Sequence, residues 1–222
     1  MNSPVTRLSE VIKFTNDIYR QSRSMILDAV NILARDKDIY LTRMKAWDYS
    51  IRPSEKLLDG EDGCLRHAWT NFIDTGESGK GVMFYTEYFS DTGNDPSIFF
   101  GVFELPTTDI RSIDRWASFY VTNYLGKYAP KTDVQSHDPI TTVTTSEPSF
   151  FKRTQIIGLP LISIGSTGDL QNWVVNPIAA LWSGDSAAAA ADLENAPILK
   201  WPFSEATLGV SGGDDDEDEE DV

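Results

Sequence analysis

Residues 5–36 constrain the fold of this chain more than any other stretch. Leu8, Val11, Ile12, Thr15, Ile18, Tyr19, Ser22, Met25, Ile26, Ala29, Val30 and Leu33 recur at spacings of three and four. On an α-helix that spacing places them on one face. Glu10, Asp17, Ser24, Asp28 and Asn31 fall opposite, and Lys13, Arg20 and Arg23 line one flank of the polar side. Ser3 and Pro4 supply a capping hydroxyl and a proline for the first turn. The apolar stripe is wider than a coiled-coil seam, so its best use is packing against a sheet. A second use is as an interface, either with a partner or in a homo-oligomer joined through this helix.

The following residues provide material for that sheet. The segment "DIYLTRMKAWDYSI" reads as extended chain. After "RPSEKLLDGEDG" come "LRHAWTNFID" (65–74), "GVMFYTEYFS" (81–90) and "SIFFGVFEL" (97–105). The last two are rich in aromatic and β-branched residues, which suit a pleated surface. Between them, "DTGNDP" is dense in turn formers, so a hairpin is expected. Ile110, Ile113, Trp116, Tyr120 and Tyr124 then recur at helical spacing, predicting an amphipathic helix over 106–126 capped by Thr108. Residues 127–148 are rich in Pro, Ser and Thr and read as a long loop.

The near-continuous apolar run within residues 150–166 predicts a buried central strand. Ser166 can cap a helix with Asp169 in its first turn, and Pro177 must kink or restart that helix. The alanine-rich segment 186–197 reads as a helical link, and "ILKWPFSEATLGV" can lay one more apolar segment on the body. These readings give an α+β fold: a mostly antiparallel sheet packed by a long N-terminal helix and two later helices. Residues 1–205 are expected to form one domain, and residues 206–222 a linker and a disordered acidic tail.

The glycine-flanked "TGESGKGV" (75–82) invites comparison with a phosphate-binding loop. Such a loop needs Gly, four residues, then Gly-Lys and Ser or Thr, leading into a helix. Here Gly76 and Gly79 are only two residues apart, Gly81 stands at the hydroxyl position, and a strand follows. No helix N-terminus is available to hold an anion. The glycines are better explained as turn residues, with Lys80 exposed at the tip.

Other residue groups fall short of a catalytic set. Cys64 and His67 are three apart but lack a third orienting group and a nucleophile turn. One cysteine and two histidines do not make a Cys/His zinc site. Ser136, His137 and Asp138 are consecutive, whereas a triad converges from separate positions. Glu87 and Glu104 lie on neighbouring strands, where they could face each other beside Lys80 or Arg66 as a carboxylate metal site, but the spacing of a nuclease signature is missing and solvated strand-face charge is the better explanation. "SDTGNDPS" lacks the sixth-position glycine and distal glutamate of a calcium loop. At "IGSTGD", Asp169 would repel an anion. No cofactor and no catalytic residue is assigned.

The charge is strongly segregated along the chain. Residues 1–60 carry 10 Lys/Arg against 8 Asp/Glu, a balance of +2; residues 61–212 carry 9 against 18, or −9; residues 213–222 carry 8 acids and no base. Overall the net charge is −15, which disfavours tight duplex binding by the whole surface and favours a partner with a basic surface. No apolar run approaches the roughly 20 residues needed to span a bilayer. The start of the chain also lacks a charged region followed by an apolar one, so a cytoplasmic protein is expected.

The expected function is that of a non-catalytic accessory or regulatory protein that binds another macromolecule. Recognition would use the sheet or the N-terminal helix, and the tail would act by electrostatic competition. The candidate contact residues are Lys13, Arg20, Arg23, Tyr85 and Glu87, with Asp214, Asp215, Asp216, Glu217, Asp218, Glu219, Glu220 and Asp221 of the tail. One alternative is a single-stranded nucleic-acid binder, with Phe84, Tyr85, Tyr88, Phe89, Phe99, Phe100 and Phe103 available to stack bases and an autoinhibitory tail. In its acidic end alone the chain resembles phage and bacterial single-strand binding proteins. A carboxylate-metal hydrolase is the other alternative.

Overall fold

A computed structural model describes residues 4–43, 67–74, 78–88, 96–105, 132–145 and 152–199. Helix α1, Pro4–Lys37, runs for 34 residues, about 50 Å at 1.5 Å per residue. Strand β1 (Leu41–Arg43) is followed by β2 (His67–Asp74), β3 (Lys80–Glu87), β4 (Ser97–Glu104), β5 (Thr132–His137), β6 (Ile140–Thr145) and β7 (Arg153–Pro160). A short 3-10 turn, Leu161–Ser163, leads to α2 (Thr167–Leu170). A π-helical stretch (Gln171–Val175), α3 (Asn176–Ser183) and α4 (Ser186–Asp192) complete the described elements.

The seven strands form one sheet in the order β1-β2-β3-β4-β7-β6-β5, with every neighbouring pair antiparallel. Two meanders, β1 to β4 and β5 to β7, therefore meet where β7 lies beside β4. The fold is α+β, as the residue periodicities imply.

The register explains how the aromatic strands are used. Val82 pairs with Val102, Phe84 with Phe100 and Thr86 with Ile98, and across β4 these lead on to Gln155, Ile157 and Leu159. Their apolar members join Ile26, Ala29 and Leu33 of α1 and Val174, Ile178 and Leu181 of the later helices in one buried core. Phe72 meets Phe84 edge to face, with ring centroids 6.0 Å apart. Side chains alternate along a strand, so Met83, Phe99, Phe103, Val143 and Ile156 lie on the opposite face. They too are buried. Aromatic residues that could have stacked bases are thus mostly core.

Helix α1 is joined to the sheet by more than apolar packing. The Ser22 and Tyr88 hydroxyls are 2.6 Å apart in a buried hydrogen bond, and Tyr19 meets the Tyr88 ring edge-on. Burial also pushes the Tyr88 hydroxyl above its ordinary pKa.

The expected long loop over 127–148 is corrected in part. Thr132–His137 and Ile140–Thr145 pair as a hairpin turning at Asp138 and Pro139. Threonine density had suggested loop, yet Thr is β-branched, and Val134 pairs across the strands with buried Val143. The helix expected over 106–126 lies outside the described residues.

The expected central strand over 150–166 appears as β7, buried from Thr154 to Leu159 between β4 and β6. Ser166 caps α2 by accepting the Asp169 amide at 3.1 Å, and its hydroxyl donates to the Asp169 carboxylate at 2.7 Å. Pro177 produces the restart: a proline has no N–H and its ring displaces the carbonyl four residues back. The helix widens just before it, with the Asn176 amide reaching back to the Gln171 carbonyl. The alanine-rich link is helix α4, capped by Asp185 accepting from the Ala188 amide. Beyond it the Leu199 amide donates to the Gly158 carbonyl at 2.9 Å, laying the described end of the chain against β7.

Candidate functional site

Outward from the buried side of α1 runs a polar strip. Seven residues separate Lys13 from Arg20, an angular offset of only about 20° on a straight helix, and Arg23 follows one turn on. All three side chains are exposed, and Lys13 to Arg23 spans about 15 Å of helix. Leu27, one turn beyond Arg23, is 43% exposed, whereas its neighbour Ile26 is 7% exposed. The sequence reading passed over Leu27. Its signal was its position off the apolar repeat, among the polar residues rather than in the stripe of Ile26, Ala29 and Leu33.

Several other described cations stand beside acids or acceptors. Arg35 pairs with Asp36 through two hydrogen bonds, the longer 2.7 Å, which holds the exposed Asp36 carboxyl below its ordinary pKa. Lys37 stands between Asp36 and Asp38 in sequence, and Arg153 is in register with Glu104. Asp17, half-buried, borders the α1 strip.

Lys80 corrects an expectation. It is not an exposed turn tip: its side chain is half-buried on the helix-covered face of the sheet. The ammonium donates to the Trp182 carbonyl at 2.6 Å and lies 5.8 Å from the Trp182 ring centroid. The last carbonyls of a helix lack helical partners and carry partial negative charge, so a cation at the end of α3 is favoured. Gly79 has φ +67°, the positive-φ turn geometry that glycine permits. A Cβ on Gly81 would stand 2.1 Å from the tip of the Phe103 ring, so this glycine makes room for an aromatic ring. Each conspicuous residue of the Gly-Lys-Gly run therefore has a structural role.

The remaining candidates are dispersed. Tyr85 lies half-buried on the sheet face away from α1 and stacks on Phe99 with centroids 5.6 Å apart. Glu87 ends β3 opposite His67 and Ser97, while Glu104 ends β4 opposite Lys80. The register therefore puts the two glutamates at opposite ends of the strand pair, about 23 Å apart at 3.3 Å per residue. They do not face each other as a paired carboxylate site. Ser136 and His137 are successive residues of β5, with Asp138 in the turn, so they are not drawn together from separate positions. Among the described residues no three His, Cys, Asp or Glu side chains gather as a metal site, and no helix is long and apolar enough to cross a membrane. Cys64 and the tail residues Asp214 to Asp221 lie outside the described residues.

No family model, no curated protein and no solved structure matches this chain.

Proposed function

We propose that this chain is a non-catalytic accessory or regulatory protein of the cytoplasm that binds another macromolecule presenting a basic surface. The observation that carries the reading is the segregation of charge along the chain, with exposed cations on α1. Lys13, Arg20 and Arg23 occupy one outward strip of α1, while the last ten residues contain 8 acids and no base. A run of like charge with nothing apolar to bury contributes through long-range electrostatics rather than packing. The acidic run engages the partner's basic surface in competition with other polyanions. The outward face of α1, with Leu27 at its end, adds a second contact.

The test compares the full chain with a full-length variant whose tail acids are changed to Asn and Gln. Both are used as bait in the native host, and captured proteins are identified and then assayed in purified form across a salt series. The expected result is a partner whose affinity falls on tail neutralisation and falls with salt in the parent chain, since exposed charges separated by more than about 8 Å are screened at 0.15 M. Equal affinities and equal salt slopes for both chains would remove the tail from the interface and refute the reading. The α1 strip also supports the single-strand reading, since Lys and Arg are the groups that meet phosphates. Labelled oligothymidine that binds only after tail neutralisation would establish that alternative instead.

A further inference from the structure

The tail and the α1 strip belong to the same molecule, and the geometry lets them meet. Leu199 is tied to β7 by the hydrogen bond its amide donates to the Gly158 carbonyl, and α1 packs against the π-helical stretch Gln171–Val175. Residues 200–213 separate that anchor from the first tail acid, and fourteen residues span up to about 48 Å. That reach is comparable with the length of α1, about 50 Å.

The strip offers charge of the opposite sign, three exposed cations bordered by half-buried Asp17. Lys13, Arg20 and Arg23 are exposed together, whereas Arg35 is held by Asp36, Lys80 by the Trp182 carbonyl, and Arg153 stands beside Glu104. Tethering also supplies a local concentration in the millimolar range, which makes even weak multivalent ion pairing significant.

Resting on the proposed function, we infer that in the free protein residues 214–221 dock on the outward Lys13–Arg20–Arg23 strip of α1, masking it until a basic partner draws the tail away. The occupant is the chain's own tail, acting in cis. Binding of the tail to the partner and exposure of the strip are then one exchange. This couples the two contact surfaces without a change in the core.

The experiment uses the full-length protein labelled with nitrogen-15. Amide spectra of the parent chain are compared with those of the tail-neutralised full-length variant, at low and high salt and at two protein concentrations. Differences centred on Lys13 to Leu27, independent of concentration and lost at high salt, are expected. They should also vanish in Arg20→Glu/Arg23→Glu, whose exposed positions leave the core intact, and persist in the control Lys37→Glu. No difference on α1, or one spread evenly over Lys37, Lys152 and Arg153, would overturn the docking. Differences that fade on dilution would assign the strip to the tail of a second copy and likewise refute the cis arrangement. The two proposals fail separately. Tail-dependent partner binding without α1 shifts leaves the function standing and ends the docking. Localised α1 shifts with tail-independent partner binding do the reverse.

Discussion

Replacing Lys80 with methionine tests whether this lysine is a structural clamp. Methionine keeps an unbranched apolar stem and removes the ammonium. The parent contact is one charge-assisted hydrogen bond of 2.6 Å to the Trp182 carbonyl, with the charge 5.8 Å from the indole ring. Hydrogen bonds to charged groups contribute about 1.5–3 kcal/mol, and a partly exposed cation–π contact about 0.5–1 kcal/mol. The two share one ammonium and the site is half-buried, so they do not add in full. A loss of about 2 kcal/mol is expected. With a urea m-value near 2.5 kcal/mol/M, the midpoint should fall by about 0.8 M with m unchanged. Urea unfolding followed by tryptophan fluorescence and by far-UV circular dichroism measures this. Trp182→Leu retains the carbonyl, so a double-mutant cycle isolates the ring's share. A loss below about 0.5 kcal/mol would show that the ammonium holds nothing, and the clamp would be wrong. Calorimetry with Mg-ATP should give no binding heat for either protein; binding lost in Lys80→Met would restore the phosphate-loop reading.

Four further outcomes test the helix–sheet assembly and the α2 cap. Ile26→Ala should cost about 2–5 kcal/mol by chemical denaturation, whereas Leu27→Ala, on the exposed side, should cost less than about 0.5 kcal/mol; equal costs would contradict the orientation of α1. Ser22→Ala should cost about 1–3 kcal/mol by removing the buried partner of Tyr88. Because Tyr88 is held above the unfolded value of about 10, its contribution is full below that pH and is lost as pH rises through the folded value; unfolding titrations should show an alkaline decline that shrinks in Tyr88→Phe. Ser166→Ala should cost about 1 kcal/mol through loss of the α2 cap, and retention of full stability in thermal unfolding would show that the cap contributes nothing.

What the sequence determined by itself was everything governed by local period and local chemistry. The three-and-four spacing from Ile18 to Leu33 was enough to orient α1, because burial of one helical face depends only on the helix repeat. Turn formers between Phe89 and Ser97 marked the β3–β4 hairpin, and Ser166 with Asp169 marked a helix start, since cap and turn chemistry act over a few residues. The departure of the Gly-Lys-Gly run from phosphate-loop spacing was equally legible. So were the segregated charges and the strip of Lys13, Arg20 and Arg23.

Tertiary structure decided what depends on distant pairings. The seating of β7 beside β4 pairs Phe100 with Ile157 across more than fifty residues of chain, and no local propensity encodes that choice. The β5–β6 hairpin hides in a polar sequence. Its threonines commit to strand once β7 offers Thr154 and Ile156 as partners for Val143 and Thr141. Lys80 seemed free because its acceptor is a carbonyl 102 residues away. Glu87 and Glu104 seemed able to meet because strand membership is local, whereas register is a property of the assembled pair. Local terms select the elements; non-local hydrogen bonds and burial select their neighbours, and those neighbours determine which side chains remain exposed for recognition.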